Sequence, residues 1–198
     1  VRQDVTCETG PQYLWLDDTW LDRPDGHRWL CSPPLRGNRE RFRELAREGA
    51  FDLFATDHCA FRKVDKDDWD GRDIRTVANG LPGVGGLLHH AWRLFPDDPD
   101  RAAAEVSLRL SKNPSARLGL DDRKGALREG LDADVVVLDP NGPARPVRGT
   151  ESDAYDAFPG ITSKLALRHV LVHGEPVVRD GALVDPETRR GRLHPIHD

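Results

Sequence analysis

Methionine is absent from all 198 residues, and the chain begins at Val1. Because translation ordinarily starts at methionine, we expect the chain to be a piece of a longer protein. Long apolar runs are also missing: none approaches the roughly 18 to 20 residues that a membrane-spanning helix requires. The first residues lack the basic-then-apolar pattern of a signal peptide. The sequence therefore predicts a cytoplasmic globular protein with no membrane partner.

Cysteine is scarce, and charge of one sign is not concentrated anywhere. Cys7, Cys31 and Cys59 lack the CxxC spacing of zinc knuckles and redox motifs, so we expect reduced thiols. The 29 Lys and Arg residues are interspersed with 34 Asp and Glu residues, which gives a formal net charge of −5. Without a basic stripe there is no surface for a phosphate backbone, and nucleic acid is not an expected partner.

Alternating helical and strand patterns mark the first 120 residues. A short strand is predicted over residues 3–7. A helix is predicted from Asn38, as its N-cap, to Gly49, as its stop signal, because Phe42, Leu45 and Ala46 recur at helical spacing. The mostly apolar run 51–56 follows at once as a strand, an order typical of parallel α/β proteins. Residues 62–80 are charged and predict a loop, whereas 81–95 and 100–110 predict helices.

Beyond Pro114 the pattern changes to short β segments. Strands are predicted over 135–138, 167–172, 176–178 and 182–184, separated by turns rich in Asp, Asn and Gly. We therefore place a boundary near residue 120, between an α/β region over 1–120 and a small β unit over 121–198.

The clearest candidates for catalysis or metal binding are Asp57 and His58, which follow the predicted strand 51–56. A carboxylate and an imidazole at the end of a strand can bind a metal or move a proton. From spacing alone the pair is more typical of a turn, with Asp57 capping it and His58 on the surface. An improvised zinc site from His58, Cys59, His89 and His90 is a further alternative, although nothing in their spacing forces them together.

Several short motifs resemble those of one enzyme family, the hydantoinases and dihydropyrimidinases, and they occur in that family's order. In the first 120 residues they are ETGPQYL at 8–14, CSPPLR at 31–36, TDHC at 56–59, NGLPGV at 79–84 and NPSAR at 113–117. Gly10 stands where the family usually has cysteine. The tail adds KG at 124–125, GLDADVVVLDP at 130–140, HGE at 173–175 and RDG at 179–181. Gln12 and the pair Cys31 and Ser32 favour this branch over dihydroorotases and allantoinases, which stay as an alternative.

The resemblance implies an α/β fold and a hydrolase. The chain would form the C-terminal portion of a (β/α)8 TIM-type barrel, with its last two strands and their helices, followed by a segment of a small β-sandwich. The expected reaction is metal-dependent hydrolysis of a cyclic amide C–N bond, as in a hydantoin or a dihydropyrimidine. The small cyclic amide or ureide is the expected substrate.

Three residues match functional positions of that family. Asp57 corresponds to the aspartate that binds one metal and serves as general base, which makes it both the catalytic and the metal-binding candidate. Ser32 and Asn79 correspond to positions that hold the cyclic imide or ureide of the substrate. From the residues alone, Ser-Pro and Asn-Gly would be ordinary turn formers.

The resemblance also implies ligands that this sequence does not contain. The family's centre holds two divalent metals, with zinc as the expectation, on an HxH pair, a carboxylated lysine and two further histidines. No HxH occurs in the sequence. We therefore expect this chain to supply part of an active site, completed by an N-terminal half or within a homo-oligomer. The alternative is a non-catalytic scaffold or assembly protein related to dihydropyrimidinases.

Overall fold

A computed structural model describes residues 5–148, 155–187 and 191. His194 and His197 lie outside these residues, as does the start of the strand predicted over 3–7. Residues 5–7 are not strand; the first strand, β1, is Glu8–Thr9. That prediction was therefore misplaced toward the N-terminus.

Two parallel strands and the helices between them organise the first half. Strand β1 pairs in parallel with β2, Leu53–Phe54. Helices α1, Pro11–Trp15, and α2, Arg39–Glu48, connect them. Gly49 ends α2 with φ of 89°, a left-handed conformation that glycine adopts without strain. The helix and the strand that follows it are confirmed. Asn38 is the N-cap of α2, as predicted, but its side chain makes no cap hydrogen bond among the described residues.

Helices dominate the chain between β2 and residue 117. Their bounds are α3 Lys63–Asp67, α4 Leu87–Trp92, α5 Pro99–Ser107 and α6 Asn113–Arg117, with a π-helical turn at Leu108–Lys112 between the last two. The loop predicted over 62–80 was wrong for α3. At its N-terminus the Asp65 carboxylate accepts a hydrogen bond from the backbone N–H of Arg62 at 2.7 Å, as in a capping box.

The tail forms an antiparallel sheet in the order β3, β6, β7, β8. These strands are Val135–Asp139, Ala166–Val172, Glu175–Arg179 and Ala182–Leu183, and they confirm the strands predicted from the sequence. A separate pair joins β4, Arg145–Pro146, to β5, Thr162–Ser163. None of the described helices is long and apolar enough to cross a membrane.

Two hydrophobic clusters support these elements. The first packs α1, α2, α4 and α5 around Phe54 and Leu94. The second joins Trp29 and Leu81 to Phe158, which is 1% exposed. The Trp29 indole N–H donates to the Ala157 carbonyl at 2.9 Å. A segment after residue 120 thus returns to pack beneath the loops that carry the predicted site.

Candidate active site

Asp57 lies just beyond the carboxyl end of β2, as predicted, and its side chain is exposed. Its φ of 50° places it in the left-handed region, which aspartate tolerates better than most non-glycine residues. The backbone therefore turns sharply here and directs the chain away from the strand.

His58 has a structural role that the sequence did not specify. Its Nδ1 accepts the backbone N–H groups of Gly83 and Val84, at 3.0 and 3.3 Å. An acceptor nitrogen carries no proton, so the ring is the neutral tautomer with hydrogen on Nε2. The backbone of His58 also pairs in parallel with Leu81. His58 therefore anchors the Asp57 segment to the 81–84 segment.

The structure brings the two predicted substrate-binding residues together. The Asn79 side-chain amide donates to the Ser32 hydroxyl oxygen at 2.8 Å, across 47 positions of sequence. The segments that carry them are also joined through the backbone, since the Gly80 N–H donates to the Leu30 carbonyl at 3.0 Å. Ser32 and Asn79 are both exposed, so their remaining hydrogen-bonding groups are accessible.

Gly80 allows the Asp57 segment to approach this pair. Its φ is 131°, and a Cβ atom at this position would lie 2.3 Å from the Cys59 sulfur. The Cys59 N–H donates to the Leu81 carbonyl at 3.0 Å. The segments that carry Asp57 and Asn79 are thus in direct contact. No hydrogen bond within the described part of the chain links the Asp57 carboxylate to Ser32 or Asn79 themselves.

Lys66 of α3 is a member of this site that the sequence reasoning missed. Its side chain is fully buried, and its ammonium group donates to the carbonyl oxygens of Leu30 and Ala78. Burial lowers the pKa of Lys66 to about 8, and Coulombic interactions with Cys31 and Cys59 partly offset that effect. In the sequence Lys66 stands in a highly charged run beside Lys63, and nothing there distinguishes the two.

Tyr13 borders the same region from α1. Its hydroxyl donates to the Pro33 carbonyl at 3.0 Å. Burial raises the pKa of Tyr13 to about 12, with smaller contributions from the charges of Cys31 and Asp57. Burial likewise raises the pKa of the Cys31 thiol to about 11. Both groups are therefore protonated at neutral pH, and Tyr13 acts here as a hydrogen-bond donor.

An open cavity lies beside the site rather than over it. It has a volume of about 220 Å³, and Thr9, Tyr13, Pro33 and Phe42 contribute to its walls. Asp57, Ser32 and Asn79 do not line it. The predicted site residues instead lie on an open surface.

The described residues do not by themselves fit a metal centre. Throughout 5–148, 155–187 and 191 there is no group of three or more His, Cys, Asp and Glu side chains that could hold an ion. His58 uses Nδ1 for backbone contacts, His89 Nδ1 lies 3.1 Å from the Ser163 hydroxyl, and His90 packs on Phe158. The improvised zinc site is therefore wrong, and Asp57 offers a single carboxylate.

Comparison with known proteins agrees with the motifs. The chain is 36% identical to D-phenylhydantoinase of Escherichia coli O81 (strain ED1a) over 199 aligned residues, 97% of this chain and 42% of that protein. Among solved structures it resembles a D-hydantoinase (TM-score 0.79, 30% identity, 91% of this chain and 41% of that one). It also resembles the dihydropyrimidinase of Brevibacillus agri NCHU1002 (TM-score 0.76, 28% identity, 91% and 41%).

These matches confirm the predicted likeness to hydantoinases and dihydropyrimidinases and the α/β fold. The chain spans about two fifths of the length of the relatives it matches. The model of the amidohydrolase family matches residues 18–177, most of the chain. The chain belongs to the amidohydrolase family.

Proposed function

We propose that this chain supplies part of the active site of an enzyme that opens a cyclic amide of the hydantoin or dihydropyrimidine type. Residues 1–120 would be the C-terminal part of a (β/α)8 barrel, and 121–198 a segment of its β-sandwich. The similar proteins named as hydantoinases and a dihydropyrimidinase support this assignment. The observation that carries it is the hydrogen bond between Ser32 and Asn79.

The polarity of that bond determines what the pair can bind. The Ser32 oxygen accepts from Asn79, so the Ser32 O–H hydrogen can donate to a ligand. The Asn79 amide donates through nitrogen, which leaves its carbonyl oxygen free to accept. A donor beside an acceptor complements the neighbouring C=O and N–H of a cyclic imide or ureide.

Asp57 would act as the general base next to the bound ring. It takes a proton from the attacking water as the new C–O bond forms at the ring carbonyl. The ring C–N bond then breaks, and the proton passes from Asp57 to the departing nitrogen. The product is an open-chain acid that keeps all atoms of the ring plus one water.

A complete centre would also use Asp57 as a metal ligand. Two divalent ions, with zinc as the expectation, would supply charge stabilisation there when bound. Since the described residues provide no further cluster of ligands, the remaining ligands, including a carboxylated lysine, would come from a complementing N-terminal half or within a homo-oligomer. A cytoplasmic location is part of the same proposal.

The test is metal content together with turnover. Zinc and other divalent metals are measured by elemental analysis in the purified chain, alone and mixed with the N-terminal half of a hydantoinase. Hydrolysis of dihydrouracil and hydantoin is followed in parallel. We expect metal uptake and turnover only in the mixture. In that mixture Asp57→Asn should lower the turnover rate by more than about 100-fold.

Asp122→Asn is the matched control, because Asp122 is an exposed aspartate on a different segment. It should leave turnover unchanged. A folded mixture that binds no metal and turns over neither ring would refute the proposal and favour a scaffold protein. Hydrolysis of dihydroorotate or allantoin alone would redirect it to those branches of the family.

A further inference from the structure

Lys66 is a buried cation with no carboxylate partner among the described residues. Its side chain is 0% exposed, and its recorded hydrogen bonds go to two backbone carbonyls. A buried ammonium group is costly unless its hydrogens are bonded. Cys31 and Cys59 are the titratable groups that interact with it, and neither is a carboxylate. A buried ammonium group at this place therefore requires a specific explanation.

The two carbonyls belong to the segments that carry the proposed substrate contacts. Leu30 lies two residues before Ser32, and Ala78 lies one residue before Asn79. The Leu30 carbonyl also accepts the Gly80 N–H. One side chain therefore joins both segments just below the bond between Ser32 and Asn79.

Helix α3 holds Lys66 in a fixed place. The Asp67 carboxylate accepts hydrogen bonds from Arg28 Nε at 2.6 Å and Arg28 Nη2 at 2.7 Å. His27 Nε2 lies 2.9 Å from the same carboxylate. His27 and Arg28 belong to the 3-10 segment Gly26–Trp29, which leads directly into Leu30. The helix is thus bound to the segment that Lys66 contacts.

We propose that Lys66 is a positioning residue that sets the separation of the Ser32 and Asn79 segments. It holds the Ser32 O–H donor and the Asn79 side-chain carbonyl acceptor at the spacing of a cyclic imide. Its effect on catalysis rests on the proposed function, whereas its effect on the two segments can be measured in this chain alone. Lys66 does not touch the substrate in this arrangement, and it acts through the backbone.

The first test uses Lys66→Met, which keeps the length and apolar volume of the side chain but removes the ammonium group. Hydrogen exchange of backbone amides is measured by NMR. We expect exchange of the Gly80 N–H to accelerate about tenfold or more, because its partner segment is no longer held. The Ala55 N–H, which donates to the Thr9 carbonyl, reports on β1 and β2 and should be unchanged.

Two further variants separate positioning from general stability. Lys63→Met changes an exposed lysine on the same helix and should leave hydrogen exchange unchanged at both amides. Lys66→Arg keeps a cationic donor and should restore much of the protection at Gly80. If Lys66→Met accelerates exchange of the Gly80 and Ala55 amides equally, Lys66 is only a stabilising residue and the inference is wrong. The same conclusion follows if Lys66→Arg restores no protection at Gly80.

The second test uses the mixture with the N-terminal half. Lys66→Met should raise KM about tenfold with little change in kcat, because substrate binding depends on the two segments and proton transfer depends on Asp57. Wild-type turnover with an unchanged KM in Lys66→Met would overturn the positioning role alone. Absence of turnover in the wild-type mixture would count against the proposed function, and the exchange result would still decide the positioning role.

Discussion

The geometry of His58 makes a prediction that distinguishes its two ring nitrogens. Asparagine places its Oδ1 on Cγ, where histidine carries Nδ1, and can accept the same two N–H groups. Glutamine places its oxygen one bond further out, closer to the position of Nε2. His58→Asn should therefore preserve the contacts to Gly83 and Val84, and His58→Gln should lose them.

The expected size follows from the surroundings of the two donors. Gly83 is buried and Val84 is exposed, so water can replace the lost partner of Val84 but not that of Gly83. An unsatisfied buried N–H costs about 1–3 kcal/mol. We therefore expect His58→Gln to lower the free energy of unfolding by about 2 kcal/mol and His58→Asn by less than about 1 kcal/mol.

The assay is urea denaturation followed by the fluorescence of the five tryptophans. A ¹⁵N NMR spectrum of the wild type adds an independent check, since the neutral ring should carry its proton on Nε2. Equal stability of the two variants, or a proton on Nδ1, would refute the assigned role of His58. If His58→Gln is instead more stable than His58→Asn, the important contact is made by Nε2.

Two other predictions concern stability. Leu94 is 0% exposed in the first cluster, so Leu94→Ala should lower the free energy of unfolding by about 3 kcal/mol. Leu183 is 66% exposed, so Leu183→Ala should change the free energy of unfolding by less than about 0.5 kcal/mol. Similar losses of stability in the two variants, measured by urea denaturation, would contradict the assigned core. The hydrogen bonds from Arg28 are the main reason that the pKa of Asp67 falls from 3.8 to about 2. Since the folded pKa lies below the unfolded one, the ionised carboxylate stabilises the fold fully above about pH 4, and that contribution is lost as the pH falls toward 2. The difference in stability between wild type and Asp67→Asn should therefore narrow in that window, and a constant difference from pH 6 to pH 2 would show that the ion pair does not cause the shift.

Local patterns predicted much of the secondary structure. The apolar spacing of Phe42, Leu45 and Ala46 and the stop at Gly49 predicted α2 because helical periodicity and a glycine C-cap are local properties. The tail strands were predictable for the same reason, since β-branched runs alternate there with turn residues. Asn38 occupies the predicted N-cap position, but its side chain makes no cap hydrogen bond within the described part of the chain, because a side chain that can cap a helix need not face the free N–H groups.

Non-local contacts explain the failures. The sequence gives no sign that Lys66 is buried while Lys63 is exposed, since both stand in one charged run and helix α3 was predicted to be a loop. The acceptor role of His58 depends on Gly83 and Val84, about 25 residues further along the chain. Such contacts form only when separate segments meet, so no window of sequence contains them.

The sequence by itself determined the family, through short motifs in a fixed order, and it identified Asp57, Ser32 and Asn79 as candidates by their place in those motifs. Their roles stay predictions. Only the tertiary structure decided that Ser32 and Asn79 share a hydrogen bond, that His58 anchors a neighbouring segment, and that Lys66 lies beneath both loops. The physical reason is that motif residues are recognisable one position at a time, whereas burial and hydrogen-bond partners depend on the packing of distant segments.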